Sequence, residues 1–412
     1  MKPYRVQLIA VAALLAVRIV VTAPVAEWPQ WRGPARDGIA AAFEVPHRWP
    51  ASLARRWSAA VGTGHSSPVV ADGRVFQHTR QGDEEVVTAF TAEDGRQVWR
   101  DAYPAPYRVN EAARAHGPGP KSTPVVSGQA LCAFGISGIL TCYDAATGRV
   151  RWRVQPVKDQ PIYGTAMSPL IIDDAVIAHV GGHESGALTA FDLRTGRRRW
   201  QWTGGAPAYA SPVVGTLGGV QQIVTQSRTH VVGISAADGQ LLWQIAFTTS
   251  YDQNAVTPLI VDDLVVFSGL SSGTTAVRPR LDGRTWRADQ VWKNADVAMY
   301  MSSPIRIASQ VFGLSHRNRG QFFALDLQTG QTKWTTRGRE AENASLVATG
   351  DTVLASTTNG ELVVFRAGAA GLSEARRYEL AQSPIWAHPA LAGRRIFVKD
   401  AENLTAWDVP RS

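Results

Sequence analysis

Ser168-Pro-Leu-Ile-Ile-Asp-Asp-Ala-Val-Ile-Ala-His179, followed by Gly186-Ala-Leu-Thr-Ala-Phe-Asp-Leu-Arg-Thr-Gly-Arg-Arg-Arg-Trp200, holds four short apolar runs. The first two meet at Asp173-Asp174. The third alternates up to Phe191-Asp192, and after Thr195-Gly196 the fourth carries Trp200. Short β-rich runs punctuated by Gly and Asp turns predict a four-stranded antiparallel unit. One such unit cannot bury both of its faces, so copies are expected.

Copies run from Ser67-Pro68 to Trp99, Thr123-Pro124 to Trp152, Ser211-Pro212 to Trp243, Thr257-Pro258 to Trp292 and Ser303-Pro304 to Trp334. A weaker one spans Ser345 to Tyr378, and the last, from His388-Pro389, stops at Asp408 without a fourth strand. A period in the forties with four strands per unit predicts an all-β, eight-bladed β-propeller. The missing strand is Leu53-Ala-Arg-Arg-Trp57-Ser-Ala-Ala-Val61, which lies ahead of the first unit and carries its own Trp. Set against the C-terminal remnant, it closes the ring and removes an open sheet edge.

The chain therefore divides into a leader over 1–23, an N-terminal arm over 24–52 packed on the propeller surface, and the propeller over 53–412. The blades fall at about 66–100, 122–153, 167–202, 210–245, 256–293, 302–336, 344–380 and 387–409, the last completed by 53–61. In the leader, basic Met1–Arg5 precedes an apolar run from Val6 to Val21 and small residues ending at Ala23. That order reads as a cleaved secretory signal. Arg18 interrupts the run, which is already short for a membrane span. The mature chain is expected to be periplasmic or extracellular, with no integral membrane span.

Basic residues number 42 and acidic residues 34, giving a net charge of +8, but only six of the basic residues are Lys. No basic run interleaved with aromatics occurs, so nucleic acid is not an expected partner. The two cysteines, Cys132 and Cys142, flank Gly135-Ile-Ser-Gly138. A turn centred on Ser137 sets them opposite each other, either as a cross-strand disulfide or as two buried thiols. They lack the spacing of a zinc site.

Ala-x-Asp-x-x-Thr-Gly-x-x-x-Trp stands at Ala190–Trp200 and Ala324–Trp334, with Cys for Ala at Cys142–Trp152 and looser copies at Ala89–Trp99 and Gly233–Trp243. It resembles the docking motif of the pyrroloquinoline-quinone-like (PQQ-like) propeller repeat, a superfamily of quinoprotein alcohol dehydrogenases and BamB-type assembly lipoproteins. From Trp28-Pro-Gln-Trp31-Arg-Gly-Pro onward the chain also resembles secreted PQQ-like repeat proteins that open with this stretch. Within the motif, Asp accepts turn N–H groups, Gly supplies the positive φ, and Trp fills the gap between blades. Trp57, Trp99, Trp152, Trp200, Trp243, Trp292, Trp334 and Tyr378 accordingly read as a structural girdle.

Strand polarity sorts the loops. First-to-second and third-to-fourth turns share one face and are short, whereas second-to-third loops and blade crossings share the other and are longer. His65, His78, His116, His179, His183, His230, His316 and His388 all fall on or beside this second face, and only His47 does not. Function concentrates on loops held by a rigid scaffold, so the site is expected here. The residues preceding each first strand should ring the axis: His65, Lys121, Met167, Tyr209, Asn254, Met301, Asn343 and His388. With His116, Tyr300 and Trp386 they supply the candidate ligand-binding set: His65, His116, Lys121, Tyr209, Asn254, Tyr300, Asn343, Trp386 and His388. The surplus crossing from Tyr103 to Lys121 is long enough either to cover the funnel as a lid or to brace two blades.

Two functions follow. A non-catalytic binding or assembly scaffold needs only the rigid ring and its decorated face, with a protein or a small polar ligand as partner and a monomeric chain. The alternative implied by the resemblance is a dehydrogenase using PQQ with Ca²⁺ to oxidise an alcohol or sugar, with Asp252, Asn254, Glu342 and Asn343 as oxygen donors. That family's vicinal cysteine pair is missing, and no catalytic residue or resident metal site is assigned. A His65, His116, His388 metal cluster is a further candidate. Neither a hydrolase elbow nor a metalloprotease helix motif occurs.

Overall fold

The computed structural model describes residues 27–156, 159–368 and 371–410; the leader lies outside them. Eight four-stranded antiparallel sheets follow one another around an axis. In blade 1 the strands are Val69–Ala71, Arg74–Gln81, Glu84–Thr91 and Gln97–Pro104, innermost to outermost. Blades 2 to 7 repeat this order over 125–154, 170–202, 213–246, 259–294, 305–335 and 344–379. Blade 8 takes three strands from 390–408, and its outermost strand is Ala54–Ala60, paired antiparallel to Asn403–Asp408. The ring is closed as its lone Trp57 strand implied.

The motif has a repeated geometry. Its first residue faces the outer-strand Trp directly, as in Ala89 with Trp99, Cys142 with Trp152 and Ala324 with Trp334, and a bulge follows each time. Trp57 faces Ala406 across the closure in the same way. Four of these indoles then leave their own blade: Trp57, Trp99, Trp152 and Trp292 donate Nε1–H to Ala92, Ala145, Leu193 and Leu327 of the following blade. The turn glycine of that next blade lies under the ring. A Cβ on Gly95 would stand 2.6 Å from Trp57, and one on Gly196 would stand 2.7 Å from Trp152. Gly is thus required twice, for its positive φ and for the ring above it. Trp243 departs, donating to Gln222 of its own blade.

A second belt runs around the axis. At several first strands the opening Ser or Thr accepts an N–H from the preceding blade: Ser67 N–H to Thr123 Oγ1 (3.1 Å), Thr123 N–H to Ser168 Oγ (3.0 Å), Ser168 N–H to Ser211 Oγ (2.9 Å) and His388 N–H to Ser67 Oγ (2.8 Å). The last of these crosses the closure.

Trp57 is therefore expected to hold the ring shut. It packs against Phe90 and Phe397 on either side of the junction. Trp57→Ala should lower the unfolding free energy by about 3–5 kcal/mol, as expected for a buried aromatic truncation. Arg56→Ala, which breaks only an exposed pair with Glu93, should cost at most about 1 kcal/mol. Chemical denaturation of both variants checks the contrast.

The arm lies only partly where expected. Trp28 to Ala40 thread the central channel, whereas Trp49 packs on Tyr378 of blade 7's outermost strand, whose hydroxyl donates to the Pro50 carbonyl. Innermost strands present an unpaired edge to the axis, and the arm satisfies it. Trp28 exchanges two backbone bonds with Val70, Pro29 accepts from Val126, and Gly38 and Ala40 bracket Ala348. Glu27 and Glu44 bond to the short turns at Asp72 and Gly393. The arm thus enters from the tight-turn face, reverses inside the channel and leaves by the same face. Its tip, Gln30 to Arg36, points toward the loop-rich face.

Candidate functional site

At the loop-rich mouth the tip of the arm becomes a floor. The Trp31 indole donates to Thr257 Oγ1 (3.0 Å) and packs edge-on to His388 with ring centroids 4.4 Å apart. Above it lies a cavity of about 180 Å³, walled by His65, His116, Lys121, Tyr163, Tyr209, Gln253, Tyr300, Met301 and Trp386. The surplus crossing forms part of its roof. Asn110 caps a 3₁₀ turn, Glu111–His116, whose Ala112, Ala113 and His116 border the space. The same crossing also braces blade 1, because the Pro120 carbonyl accepts the N–H groups of His65 and Ser66.

One wall is a cluster of three rings. His65 Nε2–H donates to the His116 carbonyl (3.1 Å), the two imidazoles stand 5.6 Å apart, and Trp386 lies 4.8 Å from His116 and 5.9 Å from His65. Burial, reinforced by His116 and Lys121, holds His65 down at about 3, and burial followed by Lys121 also lowers His116. Both rings are therefore neutral at pH 7. The other wall is phenolic: Tyr163 and Tyr209 pack at 5.7 Å, and the Tyr300 hydroxyl donates to Gln253 Oε1. Burial raises Tyr209 and Tyr300, so both keep their protons. Lys121 Nζ–H donates to the Tyr163 carbonyl (2.8 Å), and burial brings it to about 8. Among the described residues the lining contains no Asp or Glu.

Of the residues expected in the site, His65, His116, Lys121, Tyr209, Tyr300, Met301 and Trp386 converge on this cavity. The others stand behind its wall. Asn254 spends its amide on the carbonyls of Ser227, Arg228 and Phe247, shaping a crossing. Asn343 Oδ1 accepts the Met301 N–H. Met167 is core between blades 2 and 3, and His388 is buried beneath Trp31. Among the remaining histidines, His78 joins a buried cluster with Glu85, His179 donates to Gly205, His183 sits 3.4 Å from Asp252, and His316 accepts from Ser271. None of these lines the cavity. Trp31 was missed as a site residue, and its signal was two Trp within four residues of a stretch with no periodicity. The sulfurs of Cys132 and Cys142 are bonded between directly opposed strand positions, with Cα atoms 4.1 Å apart.

The donors proposed for PQQ with Ca²⁺ do not come together. Asp252 pairs with His183, Asn343 Oδ1 accepts the Met301 N–H and Glu342 is exposed, so of the four only Asn254 holds a buried oxygen without a partner. A hard divalent cation wants six or more oxygens, carboxylates among them, and the cavity offers a cationic Lys121 instead. Nor do three His, Cys, Asp or Glu side chains cluster anywhere among the described residues, so the His65, His116, His388 grouping does not form. No described helix is long and apolar enough to cross a membrane.

The family model described as outer membrane protein assembly factor BamB matches residues 50–113 and 83–336. Among solved structures, BamB from Moraxella catarrhalis superposes with a TM-score of 0.62 at 17% identity, covering 86% of this chain and 99% of that one. A europium-containing methanol dehydrogenase gives 0.69 at 13% identity, covering 90% and 89%. Quinohemoprotein alcohol dehydrogenase from Comamonas testosteroni gives 0.66 at 14% identity, covering 94% and 81%. At these identities the likeness is one of fold. No curated protein sequence matches the chain.

Proposed function

The chain belongs to the family described as outer membrane protein assembly factor BamB, and from that premise we propose a non-catalytic binding platform that works through its funnel and loop-rich face outside the cytoplasm. One observation carries this reading. The cavity is floored by the chain's own Trp31 and lined by aromatic rings, with Lys121 as the only formal charge among the described residues of its lining. Such a lining supplies stacking surfaces and hydrogen-bonding groups that fix a ligand's orientation. It supplies no carboxylate to act as a base or to hold a metal. Fold alone does not assign an activity, and the dehydrogenases' likeness to this chain supports the architecture only.

The test is a titration of the purified protein with PQQ and Ca²⁺, following quinone absorbance together with dye-linked oxidation of alcohols and sugars. No calcium-dependent turnover is expected. Saturable quinone binding accompanied by turnover would replace this reading with the dehydrogenase one.

A further inference from the structure

Lys121 is a half-buried ammonium with one protein hydrogen bond, to the Tyr163 carbonyl, and no carboxylate within ion-pair distance among the described residues. An ammonium carries three donors, so two remain for whatever enters the cavity. Leaving a desolvated charge without a counter-ion is costly, and an anion arriving from solvent completes the site. A single Lys without an Arg fork or a nest of backbone N–H groups suits a monocarboxylate better than a phosphate, which favours bidentate guanidinium or several donors.

The remaining chemistry is neutral. Among the described residues the Gln253 amide N–H₂ and the Tyr209 O–H have no acceptor, and the His116 ring makes no hydrogen bond of its own. These are partners for hydroxyl groups. Trp31 and Trp386 offer flat faces for the C–H side of a ring. The space, about 180 Å³, is below the roughly 300–1,000 Å³ that drug-sized ligands occupy, and this matches one six-membered ring with its substituents.

We propose that the funnel binds a hexuronate, the terminal acidic sugar of a glycan, with its carboxylate on Lys121 and its hydroxyls toward Gln253 and Tyr209. This rests on the funnel being the binding site and specifies what it takes.

The experiment is isothermal titration of the full chain with D-galacturonate, D-galactose and benzoate, repeated on Lys121→Met, Lys121→Gln and Trp386→Ala. Near-ultraviolet circular dichroism verifies that each variant is folded. Galacturonate should bind saturably in the millimolar range or tighter, and galactose and benzoate at least tenfold more weakly. Both Lys121 variants should erase the preference for galacturonate over galactose, and Trp386→Ala should weaken galacturonate. Equal binding of galactose, or of benzoate, overturns the ligand class, as does galacturonate binding untouched by either Lys121 variant. The funnel itself still stands if Trp386→Ala weakens those probes. Galacturonate binding unaffected by Trp386→Ala shows that the funnel is not the site, and no saturable signal at millimolar galacturonate overturns the proposal outright.

Discussion

Arg36→Ala is expected to loosen the arm from the channel, at a cost of about 2–6 kcal/mol, reckoned at about 1–3 kcal/mol for each of the two carbonyls left unpaired in a dry site. Arg36 and Arg32 are 1% and 0% exposed, yet neither makes a hydrogen bond to a carboxylate. Arg36 donates to the carbonyls of Pro169 (2.9 Å) and Ser168 (3.0 Å) and to Gln30 Oε1 (3.1 Å). Arg32 donates to the carbonyls of Pro304 and Asp37. Burial lowers Arg36 to about 9, with Arg32 adding to the effect, and lowers Arg32 itself to about 10, partly offset by Asp37. Both stay charged at pH 7. Both also sit at left-handed backbone positions, φ 59°, a conformation that costs a non-Gly residue of order 1 kcal/mol or more. Hydrogen bonds to the unpaired inner edges of blades 3 and 6 offset that strain. Because the segment that Arg32 and Arg36 hold meets the wheel at its axis, the loss should appear as local opening rather than collapse of the ring. Limited proteolysis should cut the variant within residues 27–50 while leaving the blades intact. An arm as protected as in the wild type would show that the arginine bonds are dispensable.

Blade number, strand order and closure were legible because the repeat is local: each motif residue acts on a turn or indole within one period. Trp57 could be assigned to the last blade because a wheel admits no open edge. The path of the arm was not legible. Trp28 to Arg36 has no period, and nothing in a lone Arg distinguishes a surface side chain from one aimed at carbonyls that blades 3 and 6 bring to the axis. The ring positions were half legible for the same reason. Counting back from each Pro finds Lys121 and Tyr209, which face the cavity. It finds Asn254 and Asn343 equally, and these turn away because the crossings need their amides. Loop-borne His was a poor guide as well, since His78, His179, His183 and His316 make contacts away from the cavity and His388 supports the floor.

The other large effect is expected between blades 1 and 2. Glu85 is wholly buried and serves three donors: Oε1 accepts the Ile136 N–H (2.7 Å), Oε2 accepts the Tyr103 hydroxyl (2.9 Å), and His78 Nε2 lies 3.6 Å from Oε2. A Cβ on Gly135 would overlap the carboxylate, at 1.9 Å from Oε2, so that glycine exists to admit Glu85. Glu85→Ala strands these donors in a dry interface and should cost about 3–5 kcal/mol, the range for losing one member of a buried charged network. Glu85→Gln is the sharper variant. It keeps the shape, but its amide N–H₂ must face either the Ile136 N–H or the Tyr103 hydroxyl and His78. It should therefore recover little of the loss, whereas full recovery would mean that only volume matters. Burial pushes the Glu85 carboxyl up, yet His78, the Ile136 N–H and the Tyr103 hydroxyl together hold it below its usual value. A carboxylate lowered in the folded state stabilises fully above its unfolded pKa, near 4.3, and loses that contribution as pH falls through the lower folded value. The stability gap between wild type and Glu85→Gln, measured by urea denaturation, should accordingly be constant near neutrality and close below about pH 4. A gap that widens on acidification would mean that the carboxyl is protonated in the folded protein.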